Sequence, residues 1–385
     1  MQRELYLDNA ATTPVHPEVA EAIYHSLVVA YGNPSSLHRK GIEAEGIVKE
    51  ARSLVAEMLG VSPAEVYFTS GGTEANALAI KGGARARQRR GKHVITTQIE
   101  HSSVLAACRD LEAEGFKVTY LPVDAEGRVD PGEAAAAVTG ETILLSVMQV
   151  NNEIGTIQPI GEIVEAVRSK KEDILVHVDG VQAFGKIPVA PEEMGVDLLS
   201  LSAHKLHGPK GIGALYCRRG VQLQPLFGRG TQERGLRPGT ENVPGIAGLG
   251  AAIKVWQREG RPRQKELYQL KEQLIDGLLS IEGARLNGAR GEGAAPHIVN
   301  LSFPGVRGEV LVHALEEKGL YVSTGSACSS RKAEVSHVLK ALGLPDKESE
   351  SSIRISLSYT TTAEEIAQAV EIIQEAVSSL RKVLL

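Results

Sequence analysis

Between residues 15 and 255 the chain alternates short apolar, β-branched runs with stretches of helical periodicity. The runs are Val66–Thr69, His93–Thr97, Lys117–Leu121, Thr142–Met148, Ile174–Asp179, Asp197–Ser202 and Ile212–Cys217, which predicts about seven strands. Helical patterns such as Glu43–Leu59, Thr73–Arg87 and Ile160–Lys170 lie between several of them. Alternation of this kind predicts an α/β fold, a mostly parallel seven-stranded sheet with helices on both faces. Ligands in such sheets sit beyond the carboxyl ends of the strands.

After about residue 256 the pattern changes. A charged helix over Pro262–Leu279 leads to a strand (His297–Phe303), a helix (Gly308–Lys318) and a short strand (Leu320–Ser323). A strand at Ile353–Ser358 and a long helix over Thr362–Val383 follow. This reads as a smaller α+β domain made of residues 256–385 together with 1–14, beside a large domain of 15–255. The stretch Gly325–Glu350 holds Gly, Ser, charges and Pro345, with one helix-like piece at Val335–Leu342. It predicts a mobile segment between two elements of the small domain.

A length of 385 residues agrees with two domains rather than one core. The net charge is −5, and the one basic run, Arg85–Arg90, reads as a solvated helix end; no nucleic-acid partner is expected. No apolar stretch reaches the roughly 18 residues of a membrane span, and the first residues, Met1 to Pro14, lack the apolar core of a secretory signal. Three cysteines, Cys108, Cys217 and Cys328, are widely spaced without a CxxC pair. That argues against a disulfide framework or a zinc site and for a reducing cytoplasm.

Four features fall at strand ends or just beyond. Ser70-Gly71-Gly72-Thr73-Glu74-Ala75-Asn76 is a Gly-rich turn opening a helix, where free N–H groups and a helix dipole suit a phosphate; the plainer reading is an ordinary N-terminal turn. Asp179 ends an apolar strand and can hold a protonated ring nitrogen, or simply cap the next helix. In Ser202-Ala203-His204-Lys205 a lysine fixed in a cleft can condense with an aldehyde cofactor, while Ser202 and His204 donate to a phosphate; the plainer reading is a basic surface loop. Lys210, in a tight Pro/Gly turn, is expected to point away from the crevice. His101, in Ile99-Glu100-His101-Ser102-Ser103, can stack on a flat ring or move a proton, or serve as a structural histidine. Together the four supply what pyridoxal phosphate needs and what a nicotinamide or a metal does not.

At this point the chain resembles the cysteine desulfurases of the NifS/IscS type, within the fold-type I pyridoxal-phosphate enzymes. The resemblance runs from Tyr6-Leu7-Asp8-Asn9-Ala10-Ala11-Thr12-Thr13 to Ser352-Ile353-Arg354-Ile355-Ser356. It includes Gly32-Asn33-Pro34-Ser35-Ser36-Leu37-His38, Gln149-Val150-Asn151-Asn152-Glu153-Ile154-Gly155, Arg237-Pro238-Gly239-Thr240-Glu241-Asn242 and Thr324-Gly325-Ser326-Ala327-Cys328-Ser329-Ser330. It implies that Lys205 carries the cofactor and shuttles a proton, that Asp179 pairs with the pyridine nitrogen, and that Gln182 bonds the ring hydroxyl. It places His101 on the ring, and Gly72, Thr73, Ser202 and His204 around the phosphate. Asn152 would lie near ring and substrate, Arg354 would take the substrate carboxylate, and Asn33 would be a further substrate contact. Thr240 would reach the phosphate of a partner subunit, which implies a homodimer. Cys328 would be the nucleophile of an extended loop that passes sulfur to an acceptor protein such as an iron–sulfur scaffold. In Gly228-Arg229-Gly230-Thr231-Gln232-Glu233 the chain departs from that pattern, Arg229 and Thr231 standing where the resemblance expects glycine.

The chemistry agrees. Sulfur leaves a saturated carbon poorly unless a nucleophile attacks the sulfur itself, and a thiolate suited to that attack becomes a persulfide. Cys328, among Gly and Ser, reads as that thiol rather than as a core residue; Cys108 in a helical pattern and Cys217 in a strand read as core. Selenocysteine lyase and cysteine-sulfinate desulfination are the alternatives on the same fold. A small-substrate aminotransferase has no use for the thiol, and a silent interaction scaffold has no use for Lys205 and Cys328 together.

Overall fold

The computed structural model describes residues 4–228, 230–325 and 335–384. Strand β1 (Leu5–Tyr6) is followed by helices α1 (Pro17–Val28) and α2 (Arg39–Leu59). Next come β2 (Val66–Thr69), α3 (Gly72–Ala77), α4 (Gly83–Arg87), β3 (His93–Thr97), α5 (Ser102–Ala113), β4 (Lys117–Leu121) and α6 (Pro131–Ala136). They lead to β5 (Thr142–Met148), α7 (Ile160–Lys170), β6 (Leu175–Asp179), β7 (Leu198–Ser202), β8 (Gly213–Cys217) and α8 (Val243–Val255). Then follow α9 (Gln264–Leu279), β9 (Arg285–Asn287), β10 (Ile298–Ser302), α10 (Gly308–Glu316) and β11 (Leu320–Tyr321). The last elements are α11 (His337–Ala341), α12 (Asp346–Ser349), β12 (Ser352–Ser356) and α13 (Ala363–Leu384). Among the described residues no helix is long and apolar enough to cross a membrane.

Local chemistry sets several boundaries. Helix α2 starts where the His38 side chain accepts the Gly41 N–H and stops at Gly60, whose φ of +70° is the left-handed conformation of a helix end. Helix α6 starts on Asp130, whose carboxylate takes the N–H groups of Gly132 and Glu133, with Pro131 in the first turn.

The seven expected strands form one sheet in the order β2-β8-β7-β6-β5-β3-β4, each within one residue of its predicted limits. Strands β7, β6, β5, β3 and β4 pair in parallel, and β8 runs antiparallel to both β7 and β2. Among the described strands of this sheet β8 is therefore the single reversed one. Alternate side chains enter two cores. Val94, Leu144, Leu175, Leu198 and Leu215 pack with Leu78 and Val104 from the α3–α5 side. Ile95, Leu145, Val176, Leu199 and Ala214 pack with α2, α7 and α8 on the other. Helices thus cover both faces, which is why the strands read as continuous apolar runs.

Strands β9, β10 and β12 form a separate antiparallel sheet, and β1 pairs in parallel with β11. Leu5 and Leu7 share a core with α9, α10 and α13. A bridge from Asp8 to Ser356 ties the first strand region to β12.

One expectation is corrected. The segment predicted to be mobile is ordered over 335–350, because Val338, Leu339 and Leu342 bury themselves against Ile99, Met148 and Ile154. Residues 326–334, with Cys328, lie outside the described residues, as does Arg229. The basic run is a paired helix end: Arg85 binds Glu114, and Arg87 Nη1 donates to Asp173 O at 2.6 Å. Cys108 and Cys217 are buried free thiols, and burial pushes both up to about 12.

Candidate active site

Strands β2, β3, β5, β6 and β7 point the same way, so their carboxyl ends meet at one edge of the sheet. After β2, Gly71 adopts φ 154° and ψ −177°, a region essentially reserved for glycine. A Cβ on Gly72 would sit 2.7 Å from Val181 Cγ2, so glycine lets the start of α3 close against the turn after β6. Glu74 Oε2 accepts from Ser70 N at 2.8 Å and Oε1 from Arg237 Nε at 3.0 Å. Burial raises the Glu74 pKa, but those donors outweigh it and hold the carboxyl below its ordinary range.

After β3, His101 caps α5, its Nδ1 lying 3.2 Å from Ser103 N and 2.8 Å from Ser103 Oγ. Glu100 is fully buried, and desolvation pushes it up to about 8. Its Oε1 accepts from Thr97 Oγ1 at 2.8 Å and Met148 N at 2.9 Å, which pins the turn that carries His101.

At the end of β6, Asp179 Oδ1 accepts from Val181 N at 3.0 Å, and Oδ2 from Asn76 Nδ2 at 2.7 Å. The carboxylate is therefore a turn cap and also faces the cleft; the two readings of the sequence coexist. The neighbouring His177 is structural: it bridges Ser146 and Ser200 at 2.8 and 3.0 Å, and burial lowers it to about 3.

After β7 a short turn raises Lys205, whose Nζ donates to Ala10 O at 2.6 Å and Ala11 O at 2.7 Å. His204 Nδ1 lies 3.2 Å from Thr12 Oγ1. Burial, then the charges of Lys205, Lys210 and His101, lower His204 to about 4, so its imidazole is neutral at neutral pH. Arg354 comes from β12 of the other sheet. Its Nη1 donates to Asn152 O at 2.9 Å and its Nη2 to Asp8 Oδ1 at 2.8 Å. The buried Nε has no hydrogen-bond partner among the described residues.

These groups enclose a cleft of about 210 Å³. Gly72, Thr73, His101, Asn152, Asp179, Gln182, Ser202, His204, Lys205 and Arg354 all line it. Asn33 and Thr240 do not; both are exposed, and Asn33 Oδ1 is engaged with Ser35 N at 2.9 Å. Lys210 is exposed and outside the cleft, as expected. Cys328 lies outside the described residues.

Sequence reasoning passed over Asn76, Ser103, Asp8 and the carbonyls of Ala10 and Ala11. Asn76 Nδ2 reaches both Asp179 Oδ2 and Ser103 Oγ, so it orients the carboxylate and joins α3 to α5. Its signal was a polar residue one helical turn after Gly72, on the same face. The signal for the two carbonyls was the Ala-Ala pair, whose small side chains admit a lysine to the backbone.

The donor set fits pyridoxal phosphate. Thr73 and Ser202, with their hydroxyls, line the cleft at the opening of α3, together with an oriented carboxylate, an amine and the Arg354 guanidinium. That combination matches a phosphate, a ring nitrogen, an aldehyde and a substrate carboxylate.

Residues 5–369 match the family described as aminotransferase class-V. A "Cysteine desulfurase IscS" of Methanosarcina thermophila is 47% identical over 379 residues, 98% of this chain and 93% of that protein. A solved structure called "NIFS-LIKE PROTEIN" superposes with a TM-score of 0.92 at 41% identity, covering 98% of this chain and all of that one. Another, "SspA in complex with cysteine", superposes at 0.82 and 37% identity, covering 94% of this chain and 100% of its own.

Proposed function

The chain belongs to the aminotransferase class-V family, and from that premise and the cleft we infer that it is a pyridoxal-phosphate-dependent cysteine desulfurase. It takes the sulfur of L-cysteine and leaves alanine. The observation that carries the assignment is that Lys205, Asp179 and Arg354, from three different elements, line one cleft.

Pyridoxal phosphate, when bound, supplies an electron sink for the bonds of the substrate Cα. Lys205 Nζ would be the amine that holds the cofactor, and the same amine would move the Cα proton. Its two carbonyl acceptors fix where that amine rests. Asp179, held by Asn76, keeps a proton on the ring nitrogen. Thr73, Ser202, the neutral His204 and the N–H groups at the start of α3 take the phosphate. His101, Gln182 and Asn152 line the cleft, where His101 would lie against the ring, Gln182 would donate to its hydroxyl and Asn152 would flank ring and substrate. Arg354, oriented by Asp8 and by the Asn152 carbonyl, takes the substrate carboxylate. The Cys328 thiolate would attack the substrate sulfur, forming an S–S bond as the carbon–sulfur bond breaks. The bonding pair stays with the carbon, which takes a proton to become the methyl group of alanine, and the sulfur leaves as a persulfide on Cys328.

Two further parts concern partners. Tyr24, Leu27, Val28, Tyr31, Leu37 and Ile42 expose large apolar side chains along α1, the segment after it and the first turn of α2, which supports burial against a second copy in a homodimer. Thr240, exposed in the single chain, would then serve the partner subunit's phosphate, and the exposed Asn33 would be a further substrate contact. The sulfur goes to an acceptor protein, an iron–sulfur scaffold or another sulfur-cofactor assembly partner, in the cytoplasm. Residues 15–255 act as the cofactor-binding unit, and 1–14 with 256–385 carry the cysteine segment.

The test is an assay of purified protein with L-cysteine and a reductant, recording the visible spectrum, sulfide and alanine. A yellow protein that yields both products in equal amounts is the expected result. A yellow protein whose spectrum shifts without either product overturns the substrate and directs attention to selenocysteine and cysteine sulfinate.

A further inference from the structure

Gln182 lines the cleft with its side-chain amide held between two partners. Nε2 donates to Ala10 O at 3.0 Å, and Oε1 faces His297 Nε2 at 3.3 Å. Ala10 O is the same carbonyl that accepts from Lys205 Nζ at 2.6 Å. His297, just before β10, is buried, and its Nδ1 has no hydrogen-bond partner among the described residues. The Ala10 carbonyl can only accept, which turns the Gln182 oxygen toward His297, and an imidazole nitrogen that meets an amide oxygen carries the proton there. The groups around it act in one direction: burial first, then Lys186 after β6, Lys271 on α9, Lys205 after β7 and Arg354 on β12, all disfavour a second proton. The ring is a neutral donor.

Amide polarity follows from this pair of contacts. With oxygen toward His297 and nitrogen toward Ala10, the second N–H of Gln182 remains for the cleft. Reversed, the amide would set its oxygen against the Ala10 carbonyl, an acceptor facing an acceptor in a buried place.

We propose that His297 is a positioning residue, whose Nε2–H holds the Gln182 amide with its nitrogen toward the cleft so that it donates to the ring oxygen of pyridoxal phosphate. The proposal rests on the cofactor reading above. It reaches beyond it, because His297 lies behind Gln182 and does not line the cleft.

The experiment is a double-mutant cycle of His297→Phe and Gln182→Leu. Two properties are read: the dissociation constant of pyridoxal phosphate from the apo-protein, and the pH at which the yellow absorption of the Lys205-linked cofactor changes. His297→Phe is expected to weaken binding roughly three- to tenfold, the weight of one hydrogen bond, and to move the spectral transition. In the Gln182→Leu background it is expected to add nothing to either. An unchanged single variant, or the same loss in both backgrounds, overturns the proposal, since a purely packing role is additive. His297→Gln, whose amide can restore the donor, keeps the test readable if the phenylalanine variant does not fold. It should retain the wild-type constant, and a value as weak as that of Gln182→Leu also overturns the proposal. A wild-type protein that binds no pyridoxal phosphate through Lys205 sinks the cofactor reading itself, a result distinct from either.

Discussion

Arg354 Nη2 lies 2.8 Å from Asp8 Oδ1, joining β12 to the segment after β1 at the floor of the cleft. The arginine side chain is 1% exposed and the aspartate 20%, so the pair is largely desolvated. Asp8 and the Asn152 carbonyl therefore fix the guanidinium, which lines the cleft as the proposed carboxylate site. Arg354→Ala removes the proposed carboxylate site and takes the guanidinium away from Asp8. We expect KM for L-cysteine to rise steeply, by about 2–5 kcal/mol in binding. Arg354→Lys should recover little, because a point charge cannot replace the planar fork. Steady-state kinetics check this, and an unchanged KM would assign the carboxylate to another group.

Lys205→Ala should purify without the yellow absorbance of the wild-type protein and show no sulfide release. The Ala10 and Ala11 carbonyls lose their amine donor in this variant, so a modest fall in Tm is expected as well. A visible spectrum settles the assignment: a normally coloured variant would move the cofactor link to a different lysine.

Cys328→Ser separates binding from transfer. This variant should take up pyridoxal phosphate and change its spectrum on adding cysteine, yet form no persulfide and release no sulfide with dithiothreitol. Mass spectrometry of the protein after cysteine treatment reads the persulfide directly. Sustained turnover in the serine variant would remove Cys328 from the chemistry.

Glu100 makes a pH-dependent contribution to stability. Its pKa is raised from 4.5 to about 8 in the folded chain, by burial first. Between those values the folded state holds a proton that the unfolded state has lost, so stability falls as pH rises through this window. Glu100→Gln keeps the shape of the protonated acid without the titration. Calorimetry at pH 5, 7 and 9 should show the variant close to wild type at the lowest pH and more stable at the highest. Parallel Tm curves would mean that Glu100 is already ionised in the folded protein.

The central sheet was legible because its strands are covered on both sides and so appear as unbroken apolar runs; β3, β5 and β6 are buried at every position. The motifs at their carboxyl ends were legible for the same reason, since the end of a run marks where the chain enters the crevice. What escaped was short or lacked periodicity. Strand β1 has two residues and β9 three. Helix α8 is apolar on nearly every side, with Val243, Ile246, Leu249, Ile253 and Val255 all buried, so no polar stripe marks its period. Contacts that orient the site, such as Asn76 with Asp179 or Asp8 with Arg354, span 103 and 346 positions and leave no local trace. The order of 335–350 depended on Ile99 and Met148, residues far away in sequence.

The pairing of β1 with β11, and of Asp8 with Ser356, sets a timetable for synthesis. The first strand leaves the ribosome hundreds of residues before its neighbours exist, and cannot dock until β11 and β12 have followed it. Ala10 and Ala11, which hold the Lys205 amine, and Asp8, which aims Arg354, belong to that waiting segment. A nascent chain therefore carries Thr73, Asp179 and Lys205 long before Asp8 can meet Arg354. The cleft closes only once β12 has been made, so reactivity toward cysteine is expected to follow that strand.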